Sequence, residues 1–84
     1  MAKIVVYLNQ TCPFCTRARK LLDGRGLDYQ VIDVTGSPTL WQEMEARSGR
    51  STIPQVFIDA THIGGFDDLQ AADLNGQLDA LLEK

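Results

Sequence analysis

Ile4-Val5-Val6-Tyr7-Leu8, then Asn9-Gln10-Thr11, then Cys12-Pro13-Phe14-Cys15 is the stretch on which the fold turns. The β-branched and aromatic run predicts a buried strand over residues 3–8. From Pro13 to about Gly24 the period becomes helical. Phe14, Ala18, Leu21 and Leu22 recur at three- and four-residue steps, with Arg17, Arg19 and Lys20 mostly off that face. Gly24 and Gly26 end the pattern. A strand that ends in C-x-x-C and opens a helix is the layout of a thiol–disulfide redox site.

Further along, residues 28–34 alternate as a second strand through Tyr29, Val31, Ile32 and Val34. Ser37-Pro38 starts a second helix, a hydroxyl N-cap followed by proline in the first turn. Leu40, Trp41, Met44 and Ala46 carry that helix to Gly49. Val56-Phe57-Ile58 and Thr61-His62-Ile63 flank Asp59-Ala60 as a hairpin. Gly64-Gly65 closes the second of these strands, and Asp67-Asp68 gives the next helix an acidic first turn. Leu69, Ala72 and Leu74 continue it to Gly76, and Leu78, Leu81 and Leu82 predict a short terminal helix packed back on the sheet.

The order β-α-β-α-β-β-α predicts an α/β fold with a four-stranded mixed sheet and helices on both faces. The first two strands are expected to be parallel through a right-handed crossover, and the hairpin antiparallel. Tyr29, Trp41 and Met44 read as packing residues, and His62 as a partly exposed strand residue.

With 84 residues the chain has room for one domain, spanning 1–84. Such a chain buries roughly 60–65% of its extended surface. Its only two cysteines are three positions apart, and closing so small a loop restricts the unfolded chain little. The N-terminal apolar run is too short for a signal-peptide core or a membrane span. A reducing, cytoplasmic setting is therefore expected, with no membrane partner. The net charge of −3 is spread along the chain, so there is no basic surplus to attract nucleic acid.

The two cysteines are unequal by position. Cys12 falls at the N-cap edge of the first helix, where unpartnered N–H groups and the positive end of the macrodipole favour a thiolate. Cys15 lies one turn in and is expected to stay a buried thiol. A stabilised thiolate is also a weaker intrinsic nucleophile, so the clearest gain is a better leaving group when a second thiol attacks the mixed disulfide. Two other readings stand beside this one. A structural zinc site needs about four ligands, and only His62 is available to join the pair, so no metal is expected. An inert buried pair is the remaining alternative. No Ser-His-Asp set, paired catalytic carboxylates or phosphate-binding glycine loop competes for the chemistry.

Cys12-Pro13-Phe14-Cys15, Thr52-Ile53-Pro54 and Gly64-Gly65-Phe66-Asp67-Asp68 together resemble the dithiol glutaredoxins in motif, order and spacing, the short bacterial glutaredoxin 3 type in particular. The resemblance covers essentially the whole chain. It implies a thioredoxin fold and glutathione-dependent reduction of protein disulfides and glutathione mixed disulfides. Cys12 would be the nucleophile and Cys15 the resolving thiol, with Thr11, Pro13, Phe14 and a cis Pro54 supporting the dithiol. Thr52, Ile53, Gly65, Phe66, Asp67 and Asp68 would bind glutathione, the Ile53 backbone pairing with its peptide part.

No cofactor is implied to be tightly bound, glutathione serving as reducing co-substrate. Disulfide-containing or glutathionylated proteins are the implied partners, ribonucleotide reductase a family-level candidate among them, and a monomer is expected. Two departures from the family pattern matter. Asn9 stands where many members carry a lysine, so a weaker electrostatic contribution is expected there, with Arg47 and Arg50 as candidates to replace part of it. Phe14 stands where tyrosine is commoner. The rival functions are a glutathione-ligated [2Fe–2S] carrier, which Pro13 disfavours by resemblance, and a glutaredoxin-like protein reduced by thioredoxin reductase. Members of that second group usually lack the Gly-Gly-x-Asp-Asp signature.

Overall fold

The computed structural model describes residues 2–82. β1 (Ile4–Leu8), α1 (Pro13–Gly24), β2 (Gln30–Asp33), α2 (Pro38–Ser48), β3 (Gln55–Ile58), β4 (Thr61–Gly64), α3 (Phe66–Leu74) and α4 (Gln77–Leu82) follow in that order. The four strands form one sheet, ordered β2-β1-β3-β4. β1 runs parallel to β2, antiparallel to β3, and β3 is antiparallel to β4. This is the mixed sheet of a thioredoxin-like fold.

All five residues of β1 are buried because both faces of the sheet are covered. Alternation sends Ile4, Val6 and Leu8 to one face, where they meet Val56 and Ile58 of β3 and the helical residues Ala18, Leu22, Leu69, Ala72 and Leu78. Val5 and Tyr7 point the other way, into a smaller cluster with Val34, Phe57 and Met44, against which Leu40 and Trp41 also pack. A strand buried on both sides reads as a continuous apolar run, which is why β1 dominates the sequence. Tyr29, Trp41 and Met44 do pack against these cores, Met44 completely buried.

The boundaries follow local chemistry. The Ser37 side chain accepts a hydrogen bond from the Leu40 N–H at 3.3 Å and so starts α2, and Gly49, left-handed at φ 71°, ends it. β2 is shorter than the alternation predicts, beginning at Gln30. Val34 lies beyond its end, although the Val34 N–H still reaches the Leu8 carbonyl at 2.9 Å. α3 ends at Leu74, before Gly76, with Asn75 as its C-cap. The terminal helix α4 buries Leu78 in the same core as the strand residues.

β4 carries an irregularity that periodicity does not reveal. Val56 pairs with Gly64, but Phe57 pairs with His62, leaving Ile63 as an extra residue. Ile63 packs against the first core cluster, and His62 faces Phe57 across the hairpin.

Candidate active site

The segment between β1 and α1 is fastened by its own side chain. Asn9 Oδ1 accepts from the Thr11 N–H at 2.8 Å and from the Thr11 hydroxyl at 2.7 Å. The Asn9 carbonyl accepts from the Cys12 N–H at 3.3 Å. Where the family resemblance leads to the expectation of a lysine, this chain has a loop-shaping amide.

Cys12 is the N-cap of α1, extended at φ −79° and ψ 123°, with Pro13 following in the first turn. No side chain caps this helix start, so its first-turn N–H groups lie open beside the half-buried Cys12. The Cys12 sulfur is 4.0 Å from the Ile53 carbonyl oxygen. Both cysteines are free thiols. Cys15 is 1% exposed and belongs to the first core cluster. Burial pushes its thiol up to about 12, the neighbouring Cys12 sulfur adding to the effect and the Asn9 backbone partly opposing it. At neutral pH Cys15 thus keeps its proton.

Across from Cys12, the Ile53–Pro54 peptide bond is cis, and Pro54 is buried. Behind it stands Gly65, the N-cap of α3. Asp68 reaches back to the start of its own helix, accepting from the Gly65 N–H at 3.1 Å and from Arg50 Nη1 at 2.8 Å. The Arg50 guanidinium first, and the Gly65 N–H after it, hold the Asp68 carboxyl below the usual carboxylate range. This return of the carboxylate is what requires glycine at position 64. Its φ is 122°, and a Cβ there would lie 2.3 Å from Asp68 Oδ2.

Between these parts opens a cavity of about 230 Å³, lined by Phe14, Ile53 and Pro54 on one side and by Arg50 and Gly65–Asp68 on the other. Phe14 is 50% exposed. Its ring lies 6.4 Å from that of Phe66, and the Arg17 guanidinium sits 5.4 Å from the Phe14 ring centre. The cavity thus combines an aromatic ledge, a cation, two carboxylates and a helix N-terminus, next to the Ile53 carbonyl that faces Cys12.

The structure gathers most, but not all, of the residues singled out from sequence. Cys12, Cys15, Pro13, Phe14, Ile53, Pro54, Gly65, Phe66, Asp67, Asp68 and Arg50 lie in the dithiol or along the cavity. Thr11 and Asn9 belong to the loop beneath Cys12. Thr52 is exposed and does not line the cavity, its carbonyl and hydroxyl being held by Gln55. Arg47 is placed elsewhere. Its guanidinium donates to the Tyr7 hydroxyl at 2.7 Å and lies 4.4 Å from the centre of the Phe57 ring, on the other face of the sheet. Its helix turns it toward the aromatic core, so of the two arginines only Arg50 borders the cavity. Sequence reading passed over Gln55, a completely buried polar side chain. The available signal was a long amide directly after Pro54, at the start of an otherwise apolar strand.

Among the described residues no group of three or more His, Cys, Asp or Glu side chains is placed to hold a metal ion.

Comparison with known proteins gives concordant results. The glutaredoxin family model matches residues 4–63. Glutaredoxin 3 of Escherichia coli (strain K12) is 49% identical over 83 residues, covering 99% of this chain and 100% of that protein. The solution structure of glutaredoxin from Brucella melitensis superposes with a TM-score of 0.85 at 45% identity, covering 98% of this chain and 89% of that one. The crystal structure of a buckwheat glutaredoxin–glutathione complex gives a TM-score of 0.88 at 30% identity, covering 98% of this chain and 77% of the other. With matching motifs, fold and near full-length identity, the chain belongs to the glutaredoxin family.

Proposed function

We propose that this protein is a glutathione-dependent thiol–disulfide oxidoreductase of the cytoplasm, reducing protein disulfides and glutathione mixed disulfides as a monomer. The observation that carries this reading is a cavity that gathers Arg50, Asp67, Asp68 and the start of α3, and that is bordered by Ile53, whose carbonyl oxygen is 4.0 Å from the Cys12 sulfur. Glutathione has a carboxylate at each end and an amine at one. The N–H groups at the start of α3 suit the γ-glutamyl carboxylate, Asp67 suits the amine, and Arg50 suits the glycyl carboxylate. The extended backbone of Thr52-Ile53 is a partner for the peptide between them. The buckwheat relative that was solved with glutathione supports this choice of ligand.

Chemistry follows from the inequality of the two sulfurs. Cys12, as thiolate, attacks a substrate disulfide. A Cys12–substrate disulfide forms and one substrate thiolate leaves, taking up a proton. Cys15 then loses its proton and attacks the Cys12 sulfur, releasing the second substrate thiol and leaving a Cys12–Cys15 disulfide. Once Cys12 is in a mixed disulfide, the part of Cys15's resistance to ionisation that comes from the Cys12 sulfur disappears. Two glutathione molecules then restore the dithiol and leave as glutathione disulfide. With a glutathione mixed disulfide as substrate, a second glutathione takes the place of Cys15.

The test is a glutathione-reductase-coupled assay on a small glutathione mixed disulfide. Cys12→Ser is expected to lose at least about a hundredfold in kcat/KM, since it removes the nucleophile. Cys15→Ser should retain at least about a tenth of wild-type activity, because free glutathione resolves the intermediate. Activity that survives Cys12→Ser but not Cys15→Ser would reverse the roles. Wild-type activity equally high with glutathione omitted and a flavin reductase supplied would remove glutathione from the mechanism.

A further inference from the structure

Gln55 is a completely buried polar side chain, and its amide is hydrogen-bonded at both its nitrogen and its oxygen. Nε2 donates to the Thr52 carbonyl at 3.0 Å and to the Thr52 hydroxyl oxygen at 3.1 Å. Oε1 lies 2.7 Å from His62 Nε2. The chemistry fixes both orientations. A carbonyl oxygen only accepts, so the amide nitrogen must face Thr52 and the amide oxygen must face His62. His62 must then carry a proton on Nε2. The imidazole is held by the Phe57 ring, with centroids 4.9 Å apart, and the hairpin register sets His62 opposite Phe57.

We infer that His62 and Gln55 are positioning residues for disulfide exchange, an inference that rests on the glutathione reading above. They form a side-chain relay from β4 to Thr52 that sets the Thr52-Ile53-Pro54 backbone against Cys12. The Ile53 carbonyl oxygen of that segment stands 4.0 Å from the reacting sulfur. Thr52 itself is exposed and has little packing to hold it, so the fixed point is Gln55, beneath it in β3. The relay also sets the Thr52 hydroxyl. Its oxygen already accepts from Gln55, which leaves its own proton free to be donated outward to a ligand. A displaced Thr52-Ile53 backbone would present its hydrogen-bonding groups to a ligand at poorer distances and angles, which weakens binding.

The experiment has a kinetic arm and a structural arm. The kinetic arm measures kcat and KM for a glutathione mixed disulfide in Gln55→Met, His62→Leu, His62→Gln and Thr52→Val. Gln55→Met and His62→Leu should raise KM roughly tenfold, as expected when a buried hydrogen-bonded group loses its partner, with kcat within about twofold because neither touches sulfur. His62→Gln keeps an N–H donor and should recover most of that loss. Thr52→Val, an exposed change that leaves the core intact, should raise KM by itself and add little when combined with Gln55→Met. KM within twofold of wild type in both Gln55→Met and His62→Leu would overturn the inference, as would loss of kcat at unchanged KM. The structural arm is independent of any activity: nitrogen-15 NMR of the imidazole should show neutral His62 with its proton on Nε2. A proton on Nδ1 overturns the relay even if the enzyme works as proposed. A wild type inactive on the mixed disulfide would overturn the functional reading while leaving the tautomer result to decide the relay.

Discussion

Under α1, α3 and α4 the buried side chains are aliphatic apart from one thiol, whereas under α2 aliphatic side chains are joined by aromatic rings with polar groups at their edges. Ile4, Val6, Leu8, Leu22, Leu69 and Leu78 surround Cys15 on the first face. On the second face the Tyr7 ring is completely buried while its hydroxyl donates to Glu43 at 2.6 Å and accepts from Arg47 at 2.7 Å. Phe57 lies between Tyr7, Arg47 and His62, and Gln55 extends the polar pattern toward Thr52. The dry face keeps Cys15 protonated, because burial there outweighs the Asn9 backbone group that favours a thiolate. The face with polar rims supplies directional bonds, which fix angles as well as distances. The two halves of the site thus draw on different resources: the sulfur chemistry on apolar burial, the backbone opposite it on hydrogen bonds.

The largest way to test that contrast is Leu22→Ala. Leu22 is completely buried in the first cluster, so truncation should lower stability by about 3 kcal/mol, within the 2–5 kcal/mol range for such changes. Urea denaturation at pH 7 under reducing conditions measures it. A loss below about 1 kcal/mol would show that the first face is less tightly packed than its burial implies.

Tyr7→Phe probes the second face and should be milder, at about 1 kcal/mol. The ring and its edge-on contact with Phe57, at 5.8 Å and 75°, are retained. Only the hydroxyl goes, and Glu43 and Arg47, both exposed, return to water without being stranded. Burial first, and the Glu43 hydrogen bond after it, raise the Tyr7 phenol above its ordinary value, so it remains neutral at physiological pH. A loss as great as that of Leu22→Ala would mean that the polar edge contributes as much as the dry core, and the contrast would fail.

What the sequence disclosed follows the same division. The first face, β1, α1 and the dithiol were legible because apolar periodicity and the C-x-x-C spacing encode them directly. The helix starts at Ser37 and Gly65 were legible because capping is local. The relay from His62 to Thr52 was not, since it depends on side-chain hydrogen bonds through Gln55 that no apolar period encodes. Arg47 was misplaced for a related reason. Its nearness to Thr52 in sequence suggested the cavity, but the turn of α2 on which it lies faces Tyr7 and Phe57. Arg50, three residues later and beyond the Gly49 cap, escapes the helix and reaches Asp68.

Arg50→Ala should have the smallest effect on stability, about 0.5 kcal/mol at pH 7 and low salt. Its partner is half in water, and Asp68 keeps the Gly65 N–H when the guanidinium is removed. The sign with pH is fixed. The Asp68 carboxyl is held below its ordinary value near 3.8 in the folded protein, chiefly by Arg50. The contribution is therefore present above pH 3.8 and is lost as pH falls through the lower folded value. Wild type and Arg50→Ala should differ slightly at neutral pH, converge in acid, and converge again at high salt. Urea denaturation across that pH range gives the curve. A loss above about 1.5 kcal/mol that persisted in acid and salt would make Arg50 a structural support of the α3 start. A small, salt-sensitive loss means that the pair stabilises the empty fold only weakly, so its guanidinium can exchange Asp68 for the carboxylate of an incoming ligand at little cost to the protein.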